Sequence, residues 1–405
     1  MGVGEHYVGA SWEDRAMMVQ GPVLLSLKDA ARQLLLNQGI TDREVPWELR
    51  PKERGANYDQ AIADTVASMG AEWGEDMQLH NQIGFRFKAV SIFKATLYTL
   101  MPPGSVIKAP DSIWGSHLWA SMLIGHALRG GRSLIIAPAI ANAPSAGFPQ
   151  MSRAQEALTR VVVAGEVFER ELAEGGGLLK VGLYNTDLPV GDVARKLLAF
   201  SSTVEQTPWL RELYGFHPDV LVELEREATR LLENGYSRDY EADGEFEPPK
   251  LHMKANYFAT REAWDELLAM PEVAQPILTY FRELAARNQS LARGEYRNFR
   301  IMAEELLPPT RLILQSYATQ LTPAERARIA IFFAIGSHNQ NTRSLVLDGE
   351  VALVVGGFSA LFGLPDFLII VGLSEWIDDL DELEELFPRY EGISRRLSRL
   401  LRIVV

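Results

Sequence analysis

The chain has 405 residues, a length that suggests roughly two to three domains, and its 47% apolar content is ample for a packed core. Its net charge of −13 offers no bulk attraction to nucleic acid or acidic lipid, so nucleic acid is not the expected partner, although a local basic pocket remains compatible with it. The absence of cysteine excludes disulfides, thiolate metal sites and cysteine nucleophiles and leaves the compartment open. The first residues carry no basic-then-apolar signal pattern; the localisation is left unknown, with cytoplasmic and membrane-peripheral as the two expectations.

In chain order, Leu24 to Leu36 reads as an amphipathic helix that stops at Asn37-Gln-Gly39. Thr41 to Tyr58 is a charged connection with two prolines, and Ile62 to Met69 is a short helix. Phe85 to Leu100 has the pattern of a buried helix, ended by Met101-Pro-Pro-Gly104, and Val106 to Ala109 of a short strand. His117 to Leu128 is a second helix, closed by Arg129-Gly-Gly131, and Ser133 to Ala137 is a buried strand. This alternation predicts an α/β layer structure. His117 and His126 stand nine residues apart, whereas zinc-binding histidines on one helix sit four apart, so both read as ordinary helix residues.

Ala139 to Pro149 is a loop at the carboxyl end of a strand, a place that often borders ligand sites. Met151 to Ala173 is a long helix stopped by Gly175-Gly-Gly177, which lacks the Gly-Lys-Ser/Thr ending of a phosphate loop. Leu178 to Tyr184 is the next strand. Val190 to Glu233 is helical in pattern with breaks at Thr207-Pro208 and His217-Pro218, and Tyr236 to Pro249 is an acidic loop.

Leu251 to Phe258 alternates like a strand, in which residues two apart share a face, so His252 and Lys254 project together. No other histidine in the chain has a lysine two positions on. Thr260 to Leu321 is helical in pattern, broken at Pro271, Pro276 and Pro308-Pro309, and is expected to cap the site or one edge of the domain. Two apolar strands, Ile329 to Ile335 and Val351 to Val355, then flank the polar segment Gly336 to Glu350. Such a segment either holds an anion at the strand ends or merely serves a turn.

Val351 to Leu373 is nearly all apolar, but Gly356-Gly357 and Pro365-Asp366 interrupt it, and a bilayer helix needs about 20 unbroken apolar residues. Short buried strands, or a strand and a loop, fit it better, with contact to a membrane surface as the minor reading. Asp378 to Leu386 reads as the solvated face of an acidic helix rather than a calcium loop, because the EF-hand glycine is missing. Ser394 to Arg402 is a basic helix.

His-x-Lys followed by Gly-Ser-x-Asn resembles the phospholipase D superfamily, in which the pattern recurs in two halves whose sets meet at one active site. The matching positions are His252, Lys254, Ser337 and Asn339, with Glu350, 13 residues after Ser337, at the place of the family's orienting acid. The phrase Asn339-Gln-Asn-Thr-Arg-Ser344, then Asp348-Gly-Glu350, is similar to the family's wording around its second motif. Two departures stand out: the family often has an aspartate seven residues after the histidine, where this chain has Ala259, and 84 residues separate His252 from Gly336. That gap implies a helical insertion at about 260–325.

The resemblance implies a mixed sheet flanked by helices, with residues 84–405 forming a second half and residues 1–83 a remnant of the first half plus a connection. Asp14, in Trp12-Glu-Asp14, would then be the first half's orienting acid. The other first-half residues have no counterpart, so the chain is expected to begin inside a longer two-half protein, or else to be a one-site member.

The implied chemistry is phosphodiester cleavage or phosphatidyl transfer through a phosphohistidine, with no metal or cofactor required. His252 attacks, Lys254 supplies positive charge, Ser337 and Asn339 donate to the phosphoryl oxygens, and Glu350 holds an imidazole in one tautomer. The second histidine would come from a missing N-terminal half or a second subunit. The implied partner is a phosphodiester, with the acidic balance and the apolar 351–373 region favouring a phospholipid. A nuclease-type phosphodiesterase and a catalytically inactive binding or scaffold protein are the alternatives, the latter consistent with Ala259 and the absent first motif.

Overall fold

A computed structural model describes residues 12–13, 28, 31–32, 35–36, 38–46, 77–81, 88–112, 114, 116–138, 174–184, 202–213, 218–233, 250–268, 331–356, 360, 370–372 and 374–377. Asp14, the helix expected over 62–69, the loop over 139–149, the helix over 151–173, the 236–249 loop, most of the 260–325 insertion and the two C-terminal helices lie outside those residues.

The strands are β1 (Trp12–Glu13), β2 (Met77–Asn81), β3 (Val106–Pro110), β4 (Arg132–Pro138), β5 (Leu178–Tyr184), β6 (Lys250–Leu251), β7 (Ala255–Ala259), β8 (Ile331–Gly336), β9 (Glu350–Gly356) and β10 (Ser374–Ile377). The helices are α1 (Ala89–Leu100), α2 (His117–Leu128), α3 (Pro208–Leu213), α4 (Pro218–Glu233), α5 (Arg261–Leu268) and α6 (Thr342–Val346). Among the described residues, eight strands form one mixed sheet in the order β10-β5-β4-β3-β7-β8-β9-β2. β3, β4 and β5 run parallel, and the remaining neighbours pair antiparallel. Parallel neighbours need a crossover, which α2 provides between β3 and β4. Every residue of β3 and of β7 is buried, as expected of central strands covered on both faces.

α1 and α2 cover one face. Tyr98, Trp119, Leu123 and Ala127 pack there on Ile107, Ile135, Val181, Phe258, Ala334 and Val354. Tyr98 meets Trp119 edge-on at 5.5 Å between ring centroids, and Phe93 meets Phe258 the same way at 6.3 Å. Each large side chain fully buried this way contributes about 1.5–3 kcal/mol. On the opposite face, Trp264 of α5 packs edge-on against Tyr257 at 5.9 Å and donates its indole N–H to the Leu213 carbonyl at 2.7 Å. Lys108 is buried on this face with its Nζ 3.8 Å from the centre of the Trp264 ring, and burial holds its pKa well below the ordinary lysine value. The chain is thus an α/β protein with a mixed sheet flanked by helices.

Most strands and helices fall where the sequence patterns place them. The α2 and β5 bounds coincide with the expected ones, and α3 and α4 begin at the two predicted proline breaks. His126 is an internal helix residue: its Nδ1 lies 2.9 Å from Ser133 Oγ, and burial, with Arg129 nearby, pulls its pKa down to about 4. Of the apolar stretch after Gly349, β9 is one short strand; residues 370–372 are helical and lead to β10. Among the described residues, no helix is long and apolar enough to cross a membrane.

Two differences matter. β2 and β10, which line the two edges of the sheet, were not expected. The predicted strand over 251–258 is broken, because β6 pairs with β1 in a separate two-stranded sheet while β7 pairs with β3 and β8. His252 and Lys254 therefore sit where the chain passes from one sheet to the other, rather than inside a regular strand. An isolated bridge from Asp111 to Lys254 steadies that passage.

Gly336 closes β8 directly against β9. A Cβ there would run into the Val351 carbonyl oxygen and come within 2.7 Å of Ala352 Cα, both of them backbone atoms that cannot swing aside. Gly336→Ala is expected to destabilise the fold by about 1–3 kcal/mol, measured as a lower urea midpoint at unchanged slope.

Candidate functional site

The register of β7 on β8 places Ala255 opposite Ile335, and the Gly336 amide donates to the Lys254 carbonyl at 3.1 Å. The polar residues before β7 and after β8 thereby come to one end of the sheet, together with the end of β3 and the start of β9. His252, Lys254, Ser337, Asn339 and Glu350 all lie there.

Lys254 Nζ is 2.9 Å from His252 Nε2 and donates to the His252 carbonyl at 2.8 Å, so the two side chains share a side as the spacing predicts. An ammonium donating to Nε2 fixes the lone pair of that nitrogen toward Lys254. Ser337 donates its hydroxyl to the buried Glu350 carboxylate, while the Val351 amide donates to Ser337 Oγ at 3.1 Å. Among the described residues Glu350 is thus hydrogen-bonded to Ser337 and not to an imidazole, which departs from the role expected for it. Ser112, just beyond β3, donates to Asn339 Oδ1 at 2.7 Å. This fixes the carbonyl end of the Asn339 amide, whose N–H groups make no bond among the described residues.

The motif alternates sharply. Ser337 is exposed and Asn339 half-buried, whereas His338 and Gln340 between and after them are buried. Gln340 Nε2 donates to Tyr98 OH at 3.0 Å, and Asn256 Nδ2 donates to the same oxygen at 2.7 Å. One tyrosine oxygen from α1 thereby ties the polar loop after β8 to β7. Burial, then the nearby Asp111, push the Tyr98 pKa well above the ordinary phenol value, so it stays protonated. Asn341 caps α6, its Oδ1 accepting the Ser344 amide at 2.7 Å, which ends the loop with a fixed turn before β9.

Below this loop lies a group of charges the motif does not name. Lys94 of α1 donates to the His338 carbonyl at 3.0 Å, and its Nζ lies 3.4 Å from His338 Nδ1. Burial pulls the Lys94 pKa from its ordinary 10.5 to about 8; Asp111 and Glu350 oppose that shift and Lys254 adds to it. His338 is held neutral, its pKa pushed well below normal by burial and then by Lys94. Lys88 donates to the Asp348 carbonyl at 2.9 Å, closing the turn into β9.

Five of the sequence-predicted residues, His252, Lys254, Ser337, Asn339 and Glu350, therefore lie at one end of the sheet, and Lys94, Asp111, Ser112, Asn256, His338 and Gln340 are the residues the motif reading missed. For His338 and Gln340 a signal existed: in an extended run Ser337 and Asn339 share one side and the residues between them face the other. For Asp111 and Ser112 the only signal was their place at the carboxyl end of a predicted strand.

No protein-family profile matches the chain, and no curated protein matches it. Among solved structures, a crystal structure of phosphatidylserine synthase from Haemophilus influenzae Rd KW20 is similar at 9% sequence identity and a TM-score of 0.37. The likeness covers 93% of this chain and 61% of that one, so the chain spans less than two thirds of its neighbour's length.

A lysine whose pKa drops on folding is penalised while both states are charged, and the penalty is relieved as pH rises through the folded pKa toward the unfolded one. Lys94 should therefore add about 3 kcal/mol of stability between pH 8 and 10.5. Urea unfolding across that range should show the stability of the wild type rising relative to Lys94→Met by this total amount from pH 8 to pH 10.5.

Proposed function

We propose that the chain carries half of a phospholipase D-like phosphodiester site, acting as a phosphodiesterase or phosphatidyltransferase through a phosphohistidine on His252. The observation that supports this most is the meeting, at one end of the sheet, of the His252–Lys254 pair with Ser337, Asn339 and Glu350. They arrive from two places in the sequence in the order and chemical types of that superfamily. A phospholipid is the favoured substrate, in keeping with the acidic chain and its apolar 351–373 stretch. Residues 84–405 would form the second half of the family's repeat, and residues 1–83 a remnant of the first.

The residues divide the work as follows. In the resting arrangement the Lys254 ammonium occupies the Nε2 lone pair of His252. An entering phosphodiester anion attracts that ammonium and releases Nε2 for attack on phosphorus. The N–P bond forms as the P–O bond to the alcohol breaks, and the alcohol oxygen takes a proton from an acid on the complementary half or subunit. Water or an acceptor alcohol, giving its proton to the now deprotonated acid of the complementary half, then forms the new P–O bond as the N–P bond to His252 breaks. The Asn339 amide, positioned by Ser112, donates to a non-bridging oxygen, and Ser337 joins it by rotating its hydroxyl from Glu350. The complementary half would contribute the second histidine, and Asp14 is the candidate acid of that half. β1, directly before Asp14 in sequence, runs parallel to β6, directly before His252.

A binding or scaffold role is the second reading, favoured by Ala259, which is buried between β3 and β8 where the family often has an aspartate. Turnover of bis(4-nitrophenyl) phosphate and of phosphatidyl vesicles by the full assembly separates the two. His252→Ala should abolish turnover, and Asn339→Ala should lower kcat ~100- to 1,000-fold. Cleavage at the parent rate by His252→Ala would sink the assignment of the nucleophile, and vesicle binding without any turnover by the parent would favour the scaffold.

A further inference from the structure

The reaction proposed above uses no group from α1, yet α1 drives an ammonium under the site. Lys94 is 3% exposed and His338 is 1% exposed. Ser91 Oγ donates to the Leu345 carbonyl at 3.2 Å and lies 3.0 Å from His338 Nε2. An ammonium only donates, so with Lys94 charged the Nδ1 atom accepts and Nε2 carries the imidazole hydrogen toward Ser91. The other nitrogen, Nδ1, then presents its lone pair to Lys94, and the ring is held edge-on to Trp119 at 5.7 Å. A histidine inside the phosphoryl motif therefore works as an acceptor for a lysine and not as a nucleophile.

Charge explains what that lysine is for. The charged groups that act on it from the packed elements are Asp111 after β3, Lys254 before β7 and Glu350 in β9; His338 after β8 accepts from it, with Ser91 of α1 and Lys88, just before α1, beside that ring. Among the charges that act on it, Lys94 together with Lys254 stands against Asp111 and Glu350. Without Lys94 the charge around the anion site becomes more negative by one unit, with Lys254 left as the ammonium nearest the pair. Among the described residues no carboxylate bonds to Lys94; its acceptors there are the carbonyl and the ring nitrogen of His338, so its field is not spent on a contact ion pair.

We propose that Lys94 is a positioning residue of the anion site, whose charge, held beneath Gly336 to Asn339 by the His338 ring and carbonyl, offsets Asp111 and Glu350 so that a phosphodiester anion settles beside His252 and Lys254. This rests on the phosphoryl-site reading. A purely structural lysine would satisfy the His338 carbonyl equally well but would leave no electrostatic trace in anion binding.

The test is calorimetric binding of sulfate, whose own charge is constant, to the full chain from pH 7 to 9.5. Wild-type affinity should fall on the order of tenfold as pH passes through about 8, where Lys94 loses its proton. Lys94→Met should bind weakly throughout with no step near pH 8. Lys94→Arg, which keeps the charge, should retain binding to pH 9.5 and also guards against a misfolded methionine variant. Wild-type affinity and an unchanged step in Lys94→Met, or a step near pH 8 persisting in Lys94→Arg, would overturn the role of Lys94 alone. Absence of sulfate binding by the wild type would overturn both this role and the phosphoryl site on which it rests.

Discussion

The antiparallel register of β7 on β8 is the constraint from which the rest follows. With Ala255 opposite Ile335, the chain before β7 and the chain after β8 must emerge at the same end of the sheet. The bond from the Gly336 amide to the Lys254 carbonyl extends that pairing by one residue, and the missing Cβ of Gly336 lets β9 approach closely enough to bring Glu350 alongside. A slip of one residue would turn the side chains of β7 to the opposite faces of the sheet and would shift the preceding His252 and Lys254 out of step with Ser337 and Asn339. The site is thus a consequence of strand pairing, with side chains added where two strands end and one begins.

Polar groups buried behind the strands hold that arrangement. Tyr98 gathers Asn256 and Gln340 on one hydroxyl oxygen, joining β7 to the loop after β8 at a depth where an unmet amide would cost about 1–3 kcal/mol. Lys94 and His338 form a second buried connection from the same helix. α1 therefore has two duties: its aromatic side chains cover the sheet, and its tyrosine and lysine support the loop that carries Ser337 and Asn339. The depressed pKa of Lys94 marks the desolvation cost of placing an ammonium there.

The sequence made the central strands and the five motif residues legible because both depend on short periodicities. Strands β3, β4, β5, β8 and β9 are compact apolar runs, and His252 with Lys254 is a two-residue repeat. The edges were harder. β2 and β10 are five and four residues long and mix polar with apolar side chains, so only their neighbours in the sheet define them. The break at His252 was invisible because alternation does not say that a chain changes sheets. Lys94 was hidden for a different reason. A lysine in an amphipathic helix ordinarily extends its charge to solvent, and only the tertiary contact with His338 reveals that this one turns inward.

The most direct measurement of the central claim is a crystal structure of the chain soaked in tungstate, a tetrahedral oxyanion of high electron density. The account predicts the anion between His252 Nε2 and the Asn339 amide, with Lys254 turned from the imidazole to the oxyanion. Tungstate bound only elsewhere, with the His252–Lys254 bond intact at saturating concentration, would contradict it.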